Sequence, residues 1–469
     1  MNRIRNLISA LLGLLALAGL AAGLSWLFRS QGVWPGQQVS PVRTEQPISP
    51  VQTPTSVTLP TLTPLPTRGI PTPRGTPVVK PSPTPEPVPT RPPLPLTPTP
   101  EGEPPDDLQS LYYVADTDAG PELRVIGMDA QGRRWGESEL IIERFPGNLV
   151  GLHLSPDDRY LALEFLGDGY GEVNVMERSS GRVWCPLNGP TGCWGGFSGW
   201  TPDNQFLFQP FDVPPEGVVP LGVIVVDLET GQYTPLDLPI QPIWGYSLAR
   251  NVSLSPDGSS LAYSITYPED NEEISEVWAM RMDSGEKQLL RKVKGLVGGL
   301  SWSPTGEQLL YVYQSEPSQF KPSELWLVNA DGSGTRLLAA DLAESDELGF
   351  RPVWSPDDRH VAFVQLDQPI TFDGTYVILA WSNVYVVDTI TAQITKLSLF
   401  EKREANYPTW SPDGRFVAFV SIGRSGEETL YSEVWVASAD GSLLYPMSGM
   451  AKPYNALAWL PSTLSTEGR

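Results

Sequence analysis

The sequence predicts an all-β domain built from repeated four-stranded units, set behind an apolar N-terminal stretch and a proline-rich segment. Three observations carry this. A pattern typified by Pro408–Ser421, PTWSPDGRFVAFVS, recurs through the C-terminal three-quarters of the chain. Each copy is followed by a strand–turn–strand segment. The copies recur at a nearly constant interval, the mark of a repeat architecture.

Taken in order, the chain starts with the short basic segment Met1–Asn6, and then 22 residues, Leu7–Phe28, carry no charge. As a helix they span roughly 33 Å, enough for a bilayer core of about 30 Å. Arg3 and Arg5 precede the apolar run, which places the N-terminus in the cytoplasm and the remainder outside it. Small residues in Ala18–Gly23 suit a cleaved signal peptide, but such apolar cores stop at about 7–15 residues. A single-pass, uncleaved anchor is therefore the expectation for residues 1–29.

Residues 30–107 read as a disordered stalk. Pro35–Pro105 holds 23 of the chain's 49 prolines. Proline fixes φ and removes a backbone donor, so polyproline II is expected in place of helix or sheet. Thr-Pro repeats in this stretch are acceptors for O-linked sugar. Beyond it the charge changes: residues 106–469 carry 24 basic and 50 acidic side chains. That excess repels phosphate backbones and excludes nucleic acid as the partner.

The two cysteines, Cys185 and Cys193, lie in WCPLNGPTGCW, whose prolines and glycines allow the segment to fold back. A disulfide is expected if the domain is outside the cytoplasm; two buried thiols are the alternative. Two thiolates without a neighbouring histidine fall short of zinc's four ligands.

Seven segments align on the repeated pattern: 152–165, 198–209, 252–265, 300–313, 352–365, 408–421 and a truncated 456–461, their prolines separated by 46, 54, 48, 52, 56 and 49 residues. Ser at i, Pro at i+1 and Gly at i+3 suit a type I turn between antiparallel strands. Before the serine stands a large apolar residue: Leu154, Trp200, Leu254, Trp302, Trp354 or Trp410. One position earlier it is mostly small or polar: Gly199, Ser253, Ser301, Val353, Thr409. That alternation suits an innermost strand. Hairpins follow at 275–290, 323–338, 382–397 and 432–447. Four strands per unit make a β-propeller blade. Six units are complete. Leu111–Val114, Leu123–Asp129, Leu140–Ile142 and Asn455–Trp459 remain to make a seventh from both ends of the domain, so seven blades are preferred to six over residues 108–461, with 462–469 a disordered tail.

The Trp-Ser-Pro-Asp-Gly repeat with its following Val/Ile/Leu-Ala-Phe resembles the TolB-type, WD-like propeller repeat, and is similar to the propeller lids of prolyl oligopeptidase and dipeptidyl-peptidase relatives. The chain departs from the pattern at Thr201 for Ser, Thr305 for Asp, and Asp158, Asn204 and Asp358 for Gly, which is expected to weaken individual turns. The resemblance implies a protein-interaction or ligand-docking platform and carries over no catalytic residue.

The residues add little chemistry. No Gly-x-Ser-x-Gly elbow occurs. The only histidines, His153 and His360, read as strand residues, and Asp157, Asp203, Asp257, Asp357 and Asp413 have turn roles that suffice without a metal. No cofactor is expected. Loops entering the first strands hold Arg250, Asn251, Phe350, Arg351, Asn406, Tyr407, Tyr454 and Asn455. Gathered at a channel mouth, they would contact a protein, peptide or glycan; packing between blades is the alternative. The expected function is a membrane-anchored, extracytoplasmic binding scaffold and not an enzyme. The rival readings are a lyase or hydrolase acting at the channel mouth and a structural cell-envelope protein.

Overall fold

The computed structural model describes residues 107–117, 120–143, 148–167, 170–187, 193–212, 219–220, 222–236, 238, 252–270, 272–315, 323–342, 352–367, 381–401, 403–425, 429–447 and 453–461. The expected anchor Leu7–Phe28, the stalk up to residue 106 and the tail 462–469 lie outside the described residues. Among these residues every named element is a strand, and no helix is long and apolar enough to cross a membrane.

β1 (Gln109–Thr117), β2 (Gly120–Met128) and β3 (Arg134–Glu143) form an antiparallel meander. β4 (Asn148–Leu154), β5 (Tyr160–Gly167), β6 (Tyr170–Glu177) and β7 (Val183–Trp184) form the next sheet. The third holds β8 (Gly195–Trp200), β9 (Phe206–Asp212), the short β10 (Val219–Pro220), β11 (Val223–Val226) and β12 (Tyr233–Leu236). β13 (Val252–Leu254), β14 (Ser260–Glu269), β15 (Glu272–Arg281) and β16 (Lys287–Lys294) follow.

Two further meanders come next: β17 (Leu296–Trp302), β18 (Gln308–Gln314), β19 (Ser323–Asn329) and β20 (Arg336–Leu342), then β21 (Val353–Trp354), β22 (His360–Leu366), β23 (Ser382–Asp388) and β24 (Ile394–Lys396). They are joined through Leu342 opposite Gln365. β25 (Glu404–Trp410), β26 (Phe416–Ser425), β27 (Thr429–Ser438) and β28 (Leu444–Pro446) form the last meander. β29 (Pro453–Pro461) returns to pair with β1, with Trp459 opposite Leu111 and Leu457 opposite Tyr113. The two ends of the domain thus share one sheet.

The second strand of each unit is apolar on both faces because each sheet is covered on both sides. In β26, Val417 and Phe419 pack with Ala362, Val364 and Val384 of the preceding sheet. Ala418 and Val420, pointing the other way, pack with Leu111, Tyr113 and Trp459. Burying each such Val or Phe contributes about 1.5–3 kcal/mol.

The turns follow their predicted chemistry. Gly414 N–H donates to the Ser411 carbonyl at 2.9 Å, the Ser411 hydroxyl donates to Asp413 at 2.6 Å, and Phe416 N–H donates to Ser411 Oγ at 2.9 Å. Gly414 stands at φ +70°, where a Cβ is disfavoured. Asp158, Asn204 and Asp358 occupy that conformation at φ 61–62°. Two of these replacements do more than weaken a turn. Asn204 Oδ1 accepts from Asp157 N–H at 3.1 Å. Asp358 accepts from both Thr305 N–H and Thr305 Oγ1 at 2.9 Å. Each reaches back to the preceding unit's turn, a contact glycine cannot make.

Cys185 and Cys193 form a disulfide, tying the end of β7's sheet to the entry of β8. Closing so short a loop contributes about 2.5 kcal/mol in the chain-entropy account.

The first strands carry a second stitch that the spacing alone did not suggest. Trp200, Trp302, Trp354 and Trp410 each donate Nε1–H to a first-strand carbonyl of the preceding sheet: His153, Ser253, Ser301 and Val353, at 3.0, 3.0, 3.2 and 3.0 Å. Trp459, equally buried, leaves its Nε1 without a partner among the described residues. Trp→Phe removes the N–H and about the same volume at either site. Trp410→Phe should therefore cost about 1 kcal/mol more than Trp459→Phe in urea unfolding; equal losses would show that the indole stitch contributes nothing.

Candidate functional site at the first strands

Consecutive first strands are neighbours throughout the described residues. The indole bonds join β4 to β8, β13 to β17, β17 to β21 and β21 to β25. β8 also contacts β13, β25 contacts β29, and β29 contacts β4.

One rung of these strands matters most. His153, Ser253, Val353 and Thr409 each stand opposite an alanine of the second strand. Gly199 stands opposite Leu207, Ser301 opposite Leu310 and Ala458 opposite Tyr112. All but Ala458 are half-buried, and each of these six follows a buried residue. The rung is therefore a row of small side chains with partial access to solvent, broken by one imidazole.

His153 is held from two directions. Its ring stacks on Phe197 of the next sheet, with centroids 4.3 Å apart and planes 20° from parallel. Its Nε2 lies 3.4 Å from Glu164 Oε2, and side-chain exposures are 26% and 12%. Gly151 makes room for the pair, since a Cβ there would meet Glu164 Oε2 at 2.6 Å and His153 Nε2 at 2.7 Å. With Nε2 directed at a carboxylate, the neutral ring presents Nδ1 as an acceptor. His360 is the first residue of β22, as a strand residue was expected to be; its Nδ1 lies 2.7 Å from Asp357 Oδ2 in the preceding turn, and Arg359 pairs with Asp388 at 2.6 Å.

Of the eight residues expected at a channel mouth, Arg250, Asn251, Phe350 and Arg351 lie outside the described residues. Tyr454 and Asn455 fall in β29. Asn406 and Tyr407 fall in β25, where the register shifts between Asn406 and Thr409. Tyr407 has φ +55° and packs against the cluster between the last and first sheets. Asn406 is 3% exposed, its Oδ1 without a partner among the described residues. The described part of the expected set therefore includes a buried amide, and the accessible polar rung runs through His153, Ser253 and Ser301. Sequence alignment placed these residues together but treated them as filler. The carboxylate behind His153 lies eleven residues away and carried no sequence signal.

The turn aspartates spend their lone pairs locally. Ser255 Oγ holds Asp257 below the usual carboxylate range, helped by Ser259. In the β27–β28 hairpin, Ser438 Oγ and Ser442 hold Asp440 down to about 2. Burial pushes Asp413 up, but donors from Ser411 and Arg415 outweigh it and leave it lowered.

No family model matches the sequence. A curated relative, an uncharacterized protein of Agrobacterium fabrum, is 30% identical over 167 residues, covering 35% of this chain and 52% of its own length. The chain thus spans about half the length of that relative. Among solved structures, TolB of Acinetobacter baumannii is 14% identical over 76% of this chain and 67% of its own, with TM-score 0.41. An oligogalacturonate lyase of Vibrio parahaemolyticus is 14% identical over 72% and 84%, with TM-score 0.46. A periplasmic gluconolactonase of Pseudomonas aeruginosa is 16% identical over 75% and 99%, with TM-score 0.44. Likenesses of this size carry no argument about activity.

The turn carboxylates make acid stability predictable in sign. Asp440 is lowered from 3.8 to about 2, so its contribution is complete above pH about 4 and is lost as pH falls through about 2. Asp440→Asn should flatten the fall of urea stability between pH 4 and pH 2 relative to the parent. Parallel curves would remove this carboxylate from the acid response.

Proposed function

We propose that the sheets close into a seven-bladed β-propeller, held outside the cytoplasm by the Leu7–Phe28 anchor and the proline-rich stalk, and that it serves as a binding scaffold. The unbroken succession of neighbouring first strands, β4 through β25 to β29 and back to β4, supports the closed ring and is the observation that carries this reading. In such a ring the first strands surround an axial passage, and the half-buried rung of His153, Gly199, Ser253, Ser301, Val353 and Thr409 lines it. The disulfide agrees with an oxidising compartment.

Among the described residues the rung presents hydroxyls, a glycine, a valine and one imidazole, groups suited to contact with a ligand. The enzyme reading keeps one specific observation in its favour, the carboxylate-backed His153, since such pairs also serve as general bases.

Two measurements test the proposal. The protein should stay in the membrane pellet after alkaline carbonate extraction, and non-reducing peptide mapping should recover Cys185 joined to Cys193; soluble protein with free thiols overturns the anchored, exported reading. A benzophenone side chain at Ser253 or Val353 should form a discrete adduct in cells, while one at the outer-strand residue Leu337 should not. Absence of any adduct from the passage positions overturns the scaffold reading.

A further inference from the structure

We propose that the axial passage binds a neutral oligosaccharide through the rung of His153, Ser253 and Ser301. The inference rests on the ring reading above and names a ligand class for that passage.

Three polar groups on this rung are left over after the protein's own bonding. Among the described residues nothing bonds His153 Nδ1, and nothing bonds the Ser253 or Ser301 hydroxyls, whose main-chain carbonyls are taken by Trp302 and Trp354. All three side chains are half-buried, so each is partly dehydrated and still reachable. Thr409 Oγ1 is committed, accepting from Trp459 N–H at 3.4 Å.

The ligand chemistry follows from these groups. With Glu164 on Nε2, His153 Nδ1 accepts a hydrogen bond, so the ligand must offer a donor. The two serines both donate and accept. Hydroxyl groups of a sugar meet all three demands. Among the described residues the rung holds no lysine or arginine to pair with a carboxylate or phosphate, and Glu164 stands directly behind it, so an anionic sugar is disfavoured. Its side chains are short, and the aromatic beside it, Phe197, is buried under His153. A ligand recognised by its hydroxyls suits this rung better than one read by side-chain pockets. Glu164 acts as a positioning residue that fixes which imidazole nitrogen faces the ligand.

The chain has two histidines, which makes a direct readout available. Full-length protein carrying ¹³Cε1-histidine gives two ring signals, assigned with His360→Gln. Chitopentaose, cellopentaose and maltopentaose are titrated in turn, with tetragalacturonate as the anionic control. At least one neutral sugar should move the His153 signal saturably and leave His360 in place, and tetragalacturonate should move neither. Ser253→Ala and Ser301→Ala, which keep the reporter, should each weaken that sugar about fivefold. Glu164→Gln should change the free His153 signal before any sugar is added. An unmoved His153 signal with all three neutral sugars overturns the proposal, as does a tighter response to tetragalacturonate or serine variants with parental affinity. If the sugars fail while benzophenone adducts from Ser253 or Val353 persist, the sugar inference falls and the scaffold reading stands.

Discussion

The indole-to-carbonyl bond between consecutive first strands is the constraint on which the rest depends. Packing of apolar faces tolerates sliding, because one buried valine is much like another. The bond from Trp410 Nε1 to the Val353 carbonyl fixes one sheet against the next at a single rung. Its repeats at Trp354, Trp302 and Trp200 carry that register across most of the domain. A buried indole N–H without an acceptor is costly, so each tryptophan selects one inter-sheet arrangement. Two units put leucine, Leu154 and Leu254, where the others have tryptophan, and rely on apolar packing there.

A second layer of contacts lies at the turns. Gly258 sits beneath Pro202, where a Cβ would come within 2.5 Å of the proline ring. Asn204 and Asp358 give up glycine's conformational ease and gain a bond to the preceding turn. The third strands add another set: Trp278, Trp326 and Trp435 each donate to the glutamate two residues earlier, Glu276, Glu324 and Glu433. In the first and third of these, Lys292 and Arg403 pair with the same carboxylates. The tryptophan–glutamate bonds are local in sequence and need no long-range information, whereas Arg403 and Glu433 lie 30 residues apart.

That difference explains what could be read in advance. Strand identity and turn geometry follow from alternation and from Ser-Pro-Asp-Gly, which act over a few residues, while the sharing of one sheet by β1 and β29 follows from counting the repeats. Which face a first-strand side chain takes is harder to read, because the first strands carry bulges. The register shifts between Leu149 and Gly151, Phe197 and Gly199, Gly298 and Ser301, and Asn406 and Thr409. A bulge reverses the parity of every side chain beyond it. Counting back from Trp410 by twos puts Asn406 on the face of Trp410, whereas its pairing with Val420 puts it on the face of Thr409. His153 lies on the near side of its bulge, so its partial exposure agrees with simple alternation. Its pairing with Glu164 is a cross-strand contact that alternation cannot specify.

Departures from the repeat occur in several units, and the β4 and β8 sheets hold a group of them. The β4 and β8 sheets hold His153, Glu164, the Gly195–Gly196 pair and the disulfide. They also hold Gln209, fully buried, with both amide atoms lacking a partner among the described residues. Through its pairing with Gly196, Gln209 takes the rung that holds Val312, Val364 and Val420 in sister sheets. Ser264, the polar residue at that rung of the β14 strand, donates to the Val297 carbonyl of the next sheet. An unmatched amide is a cost that stability alone would remove. Gln209 lies in the sheet next to the carboxylate-backed imidazole, beyond a seam tied by the disulfide. Elsewhere the departures are single replacements, such as Leu254 for a tryptophan and Asp358 for a glycine, each absorbed by apolar packing or by a bond to the neighbouring turn.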